Sequence, residues 1–233
     1  MPIYQLHPKH VGFPPRSEFD HDMVAVGGDL CLERLLEAYS RGVFPWYNVP
    51  GELHWHSPEQ RCVLPVAEVS VSHSMRSLLN KAVFTFTMDT EFTRVMEACR
   101  EGERVGQTWI HDEIVESYAK LHRFGVAHSL EVWCEGALVG GLYGVSLGSL
   151  FFGESMFSRA PNASKAALIA LCRFLPEMNI ELIDCQVPNE HLLSMGALEW
   201  SRDHFLDVLE VAMQKNTETG SWEHAFAEWS KGK

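Results

Sequence analysis

No stretch of this chain approaches the roughly 20 consecutive apolar residues that cross a bilayer, so no membrane partner is expected. There is no C-x-x-C pair. The six cysteines, at 31, 62, 99, 134, 172 and 185, are scattered, and five fall in periodic apolar segments. They read as small buried hydrophobes, and neither a disulfide framework nor a thiolate metal site is expected. Neither G-x-x-x-x-G-K-[ST] nor G-x-G-x-x-G occurs, which removes the common cradles for ATP and dinucleotides. No internal repeat or low-complexity tract interrupts the 233 residues. Positive charge is scarce: 19 Lys and Arg against 31 Asp and Glu leave a net charge of −12. Such a surface repels nucleic acid and suits a cationic peptide, so contact with phosphates requires a local patch. Arg76 and Lys81 are the candidates for a nucleic-acid backbone contact, with Lys120, Arg123, Arg159, Lys165 and Arg173 further on. The opening Met1-Pro-Ile-Tyr-Gln-Leu6 lacks the apolar core of an export signal, and a cytoplasmic protein is expected.

The patterns that are present describe a globular α+β protein. Leu32, Leu35, Leu36 and Tyr39 form a helical stripe within 29–41, with Asp29 as cap and Gly42 as stop. A turn-rich aromatic segment follows, Phe44-Pro-Trp-Tyr-Asn-Val-Pro-Gly51. A boundary near 59–66 sets off residues 1–60 as a small α/β unit, too short for a strong core and docked on a main domain at 61–233. That domain opens with a strand at 61–64, helices at 73–81, 90–100 and 112–124, and a strand at 85–88 between the first two. The period then changes to two. Segments 127–134, 137–146 and 149–152 read as a meander joined by Glu135-Gly136 and Leu147-Gly148. A helix at 164–175, a strand at 181–187 and a helix at 203–215 complete an arrangement of the N-acetyltransferase (GNAT) type: a mixed sheet with flanking helices.

Two places concentrate chemistry. The apolar run Leu150-Phe-Phe152 gives way at Gly153 to Glu154 and a group of hydroxyls, which reads as a strand delivering a carboxylate at a chain reversal. In Glu181-Leu-Ile-Asp-Cys-Gln-Val187, regular alternation puts Asp184 and Gln186 on one face. Gln186 is no base, but its amide oxygen can hold an amine in line, with Asp184 polarising it. Cys185 alternates to the opposite face and is expected in the core. Trp46, Trp109, Tyr118, Tyr143, Phe151, Met156 and Phe157 together suit a pocket for a bulky apolar side chain and a stacking face for adenine. His54-Trp-His56 has ligand-like spacing without an evident third ligand, and no metal is expected.

These segments carry a resemblance. Val26-Gly-Gly-Asp-Leu30, Arg41-Gly-Val-Phe-Pro-Trp46, Trp55-His-Ser-Pro58, Thr108-Trp-Ile110, His128-Ser-Leu-Glu-Val-Trp133, Val139-Gly-Gly-Leu-Tyr-Gly144, Gly153-Glu-Ser-Met-Phe-Ser-Arg159, Asn162-Ala-Ser-Lys165 and Ile183-Asp-Cys-Gln-Val187 occur in that order. The set resembles the bacterial leucyl/phenylalanyl-tRNA–protein transferases from about residue 13 to 205; nothing in 206–233 matches. The resemblance implies the same N-acetyltransferase-like fold. It implies transfer of Leu or Phe, with Met as a further candidate, from aminoacyl-tRNA to the N-terminal Arg or Lys of acceptor proteins, a tag for degradation, with no cofactor. It implies catalysis by Asp184 and Gln186 with Glu154 and Asn189 nearby, and adenosine received by Trp46 and Trp109. It also implies a side-chain cavity lined by Leu142, Phe151, Met156, Ser158, Leu168 and Ile183, where Leu142 stands in place of a Met expected in some members. The alternative is an acyl-coenzyme A N-acyltransferase on the same fold, and a third reading is an RNA- or peptide-binding module. Against coenzyme A, the turn before the 164–175 helix, Ser158-Arg-Ala-Pro-Asn-Ala-Ser-Lys165, lacks the glycines that bind pyrophosphate.

Overall fold

The computed structural model describes residues 3–49, 52–101 and 110–232. The chain first builds a small sheet from β1 (Tyr4–Leu6), β2 (Met23–Gly27), β3 (Phe44–Val49) and β4 (Glu52–His56). Their order is β1-β2-β4-β3, and α1 (Leu32–Ser40) links β2 to β3. Leu35, Ala38 and Tyr39 form the buried face of α1. The helix ends where Gly42 turns left-handed at φ +70°, and a Cβ there would meet Leu206 Cδ2 at 2.5 Å. Asp29 does not cap α1: Cys31 is the N-cap residue, and Asp29 Oδ1 accepts from Cys31 N and Arg34 Nε. The segment 44–51 was expected as a turn-rich connection, but Phe44–Val49 is a strand. Pro45 is tolerated because β3 is an edge strand, where a missing N–H breaks no ladder.

The second sheet follows from β5 (Gln60–Pro65), α2 (His73–Asn80), β6 (Thr85–Met88), α3 (Phe92–Arg100) and α4 (Asp112–Phe124). It continues with β7 (Ala127–Cys134), β8 (Ala137–Leu147), β9 (Leu150–Ser158), α5 (Ala163–Phe174) and β10 (Leu182–Gln186). It ends with α6 (Glu190–Ser194), β11 (Leu198–Ser201), α7 (Arg202–Ala212) and α8 (Glu223–Lys231). The seven strands run β11-β5-β10-β9-β8-β7-β6. β9 and β10 are parallel and the other neighbours antiparallel, so this is a mixed sheet with helices on both faces, the N-acetyltransferase-like arrangement.

Alternate residues feed two cores. Phe152 and Leu182 join one that runs from Leu6 of the small sheet through α1, α3, α4 and α7 to Ala212. Phe151 and Ile183 join the other, built on α5 and closed by Trp222 and Phe226 at the start of α8. The alternation fails at two points. β9 does not stop at Phe152; it runs to Ser158, and its pairing with β8 slips between Tyr143/Gly144, leaving Glu154 as one extra residue. Glu154 is therefore a bulge within a strand, not a residue at a chain reversal. Phe152 and Phe157, five apart, both reach the first core because of that slip. β10 slips against β5 between Asp184 and Gln186, and the extra residue is Cys185. All six cysteines are free; Cys62, Cys99 and Cys172 are buried and the other three half-buried.

Candidate active site

β9 and β10 pair only from Leu150↔Leu182 to Phe152↔Asp184. Beyond that level they part, and a cavity of about 550 Å³ opens between them. That volume is in the range of sites that enclose a small-molecule ligand. Leu142, Phe151, Met156, Leu168 and Ile183 form its apolar wall, with Trp46, Ser158 and Asn189 also lining it. Glu154 and Gln186 bring polar groups into the same cavity.

The two bulges turn these polar side chains toward each other. Gln186 has φ +60°, and a three-residue turn is closed by Val187 N donating to Cys185 O at 2.8 Å. A non-glycine residue in this region is held there by its surroundings, a state that concentrates at functional sites. Gln186 Nε2 donates to Glu154 Oε1 at 2.9 Å, which leaves Oε1 as the amide's acceptor. Tyr39 Oη donates to the same Glu154 oxygen at 2.7 Å, and Tyr118 Oη to Oε2 at 3.1 Å. Tyr39 and Tyr118 also touch each other, hydroxyl to hydroxyl. Burial pushes the Glu154 carboxyl up to about 7; the two tyrosine hydrogen bonds oppose that rise and the charge of Asp184 adds to it. Burial likewise raises both tyrosines well above the phenol range.

Asp184 and Gln186 do not share a face, because the bulge between them breaks the alternation. Asp184 is fully buried and does not line the cavity. Its carboxylate is gripped by Arg61, Nε to Oδ1 at 2.8 Å and Nη2 to Oδ2 at 2.6 Å, and it accepts from Gln186 N at 2.9 Å. It therefore meets Gln186 through the main chain. Arg61 also donates to Gly42 O at 3.0 Å and lies over the rings of Phe44 and Phe205. Arg61 and Tyr39 escaped the sequence reading. For Arg61 the signal was an arginine opening the apolar run Arg61-Cys-Val-Leu64, which demands a buried anion.

Tyr118 stands behind Glu154 and does not line the cavity. Cys185 lines the cavity, contrary to the expected core position, because it is the bulged residue. A hydrogen bond to Cys62 and burial raise its thiol well above the usual range, so it is no thiolate. Asn189 caps α6, its Oδ1 accepting from Leu192 N at 2.9 Å. Arg76 and Lys81 sit exposed on and just after α2, outside the cavity wall. Trp109 lies outside the described residues. His54 and His56 belong to β4, where His56 packs edge-on against Trp46 and burial holds it down to about 4. Among the described residues no group of three or more His, Cys, Asp or Glu is placed to hold a metal ion. No helix among them is long and apolar enough to cross a membrane.

The family model for the leucyl/phenylalanyl-tRNA protein transferase matches residues 63–210, and that for its N-terminal domain matches 28–59. This chain belongs to the leucyl/phenylalanyl-tRNA–protein transferase family. A relative of that name from Myxococcus xanthus (strain DK1622) is 47% identical over 231 residues, spanning 97% of this chain and 99% of its own. Another, from Anaeromyxobacter sp. (strain K), is 46% identical over 226 residues, or 96% and 97%. Among solved structures, FemX is 11% identical with a TM-score of 0.48, covering 77% of this chain and 71% of its own. An aminoglycoside acetyltransferase from a soil metagenome is 13% identical with a TM-score of 0.38, covering 60% and 94%.

Proposed function

We propose that this protein moves Leu or Phe from aminoacyl-tRNA to the N-terminal Arg or Lys of acceptor proteins in the cytoplasm, where the new peptide bond tags them for degradation. Membership in the family makes the chain an aminoacyltransferase whose donor is aminoacyl-tRNA and whose acceptors are proteins. The observation that supports this reading of the site is the meeting of an apolar cavity of about 550 Å³ with the Glu154–Gln186 pair at the parting of β9 and β10. The apolar wall takes the donor side chain, and Trp46 at the cavity offers a ring face to the 3′ adenosine. Gln186 Oε1 accepts a hydrogen bond from the acceptor amine and aims its lone pair at the ester carbonyl, so that orientation does most of the work. Asp184, locked by Arg61, holds the main chain of Gln186 in its turned conformation. Glu154 beside it favours a cationic N-terminus over a neutral one. Against the coenzyme A reading, two first-turn amides of α5 are already used, Ala163 N by Ala160 O and Ser164 N by Ser158 Oγ.

The test offers the protein Leu-, Phe- and Met-charged tRNA and acetyl-coenzyme A, each with Arg-, Lys- and Ala-initiated peptides, and weighs the peptides. A Leu or Phe mass added to the Arg and Lys peptides is expected. An acetyl mass would establish the coenzyme A reading instead, and no gain from any donor would leave a binding module.

A further inference from the structure

Three oxygen pairs surround Glu154, and the protons available to fill them can be counted. Tyr39 Oη meets Glu154 Oε1 at 2.7 Å, Tyr118 Oη meets Oε2 at 3.1 Å, and the two hydroxyls meet each other. With Glu154 ionised, two hydroxyl protons must serve three contacts, so one contact lies empty. A protonated Glu154 closes the ring: its O–H to one tyrosine, that tyrosine to the other, the other back to the remaining oxygen of the carboxyl. Gln186 Nε2 donates to Oε1 in either state.

We propose that Tyr39, Tyr118 and Glu154 form a proton socket whose missing proton is supplied by the α-ammonium group of the acceptor, leaving a neutral amine to attack. The proposal rests on the aminoacyl-transfer reading for the source of that proton. Tyr39 and Tyr118 are positioning residues here, since neither lines the cavity, whereas Glu154 does.

The groups facing the ring are consistent with a proton that comes and goes near neutrality. Tyr39 arrives from α1, Tyr118 from α4, and Gln186 and Asp184 from β10, with the charge of Asp184 matched by Arg61 of β5. Tyr143 of β8 packs edge-on against Tyr118, its own hydroxyl without a hydrogen-bond partner among the described residues, and Cys99 of α3 lies near it. No cation among these groups reaches Glu154 directly; the Arg61 guanidinium is taken by Asp184 and Gly42. Burial places the carboxyl at about 7, within about one unit of an α-amino group.

The step balances. An ammonium proton passes to Glu154, and the neutral nitrogen bonds to the aminoacyl carbonyl carbon. As the ester C–O bond breaks, the departing ribose oxygen takes the second proton that nitrogen loses. Glu154 returns its proton to water once the peptide has left.

The test uses the full chain labelled with 13C at the glutamate carboxyls and follows Glu154 through pH without substrate, its signal assigned with Glu154→Gln. A midpoint near 7 is expected. In Tyr39→Phe and Tyr118→Phe, each of which removes a donor to the ionised form, the midpoint should rise by about one unit. The acid limb of kcat/KM for an Arg-initiated peptide should move with it. Each variant then loses about tenfold at pH 6.5 while approaching the parent protein near pH 9, a pattern that simple loss of packing does not give. Melting curves on the same samples establish folding, and either tyrosine suffices if the other variant fails to fold. A Glu154 midpoint in the ordinary carboxylate range overturns the proposal, as do midpoints and limbs unmoved in both variants. A protein that transfers nothing to any peptide while Glu154 titrates as stated overturns the aminoacyl-transfer reading and leaves the socket supported.

Discussion

Alanine at position 184 reports on two properties together. Asp184 and Arg61 are both buried and hold each other in a two-pronged ion pair. Removing the carboxylate strands the guanidinium between Phe44 and Phe205, and breaking such a pair costs about 3–5 kcal/mol. Gln186 is half-buried and its side chain bonds only Glu154 among the described contacts. We therefore expect Gln186→Ala to keep most of the stability while turnover falls by about 100-fold or more, the loss typical of a misoriented reacting centre. Asp184→Ala should lose both. Denaturant unfolding and turnover measured on the two variants check this, and a fully stable Asp184→Ala would mean that Arg61 finds another anion. At this scale the candidate site was legible in residue type and not in geometry. The acid after an apolar run and the Asp-x-Gln pair stood out. Period two alone cannot show an extra residue in a strand, because a bulge exists only relative to the neighbour it slips against.

Elements of strong local period were the most legible. The spans 85–88, 112–124 and 127–134 coincide with β6, α4 and β7, because in each the apolar spacing, the turn residues and the burial agree. Those that depend on partners were not foreseen. β3 contains a proline, β11 is four residues long, and α8 follows a stretch without any recognisable motif. The last has consequences for stability. Trp222 stacks on His128 at 3.6 Å between ring centres, and its main-chain N–H donates to Asp89 Oδ2 at 2.7 Å. Phe174 meets Trp222, Phe226 and Trp229 in turn. Trp222→Ala should cost about 3–5 kcal/mol by opening a void over His128. Equilibrium unfolding measures this, and a loss well under 1 kcal/mol would show that α8 is dispensable to the second core.

Across the whole molecule, charge limits how a polyanion is held. With a net charge of −12 and an apolar cavity at the centre of the site, the donor is expected to be selected mainly through its side chain and 3′ adenosine. Binding of aminoacyl-tRNA should then weaken only gently with salt, well below the slope of a protein with about 6–10 phosphate contacts. A minimal aminoacyl-adenosine such as puromycin should compete. Titrations at several salt concentrations decide it: a steep log–log slope, or no competition, would assign the recognition to the body of the tRNA and make Arg76 and Lys81 the first residues to replace.

The order of strands carries a consequence for how the protein is made. β5, from residues 60–65, lies between β10 and β11, from residues 182–201. A ribosome finishes β5 long before either neighbour exists, so this strand waits with both edges bare while more than half of the chain is still untranslated. Arg61 waits with it, a cation destined for burial whose carboxylate has not yet been synthesised. Closing so distant a pairing is slow, and strands held open in this way are what chaperones shield. The candidate site thus comes into being at the end of synthesis, in the same event that seals the sheet, and a nascent chain cut short before residue 182 has neither.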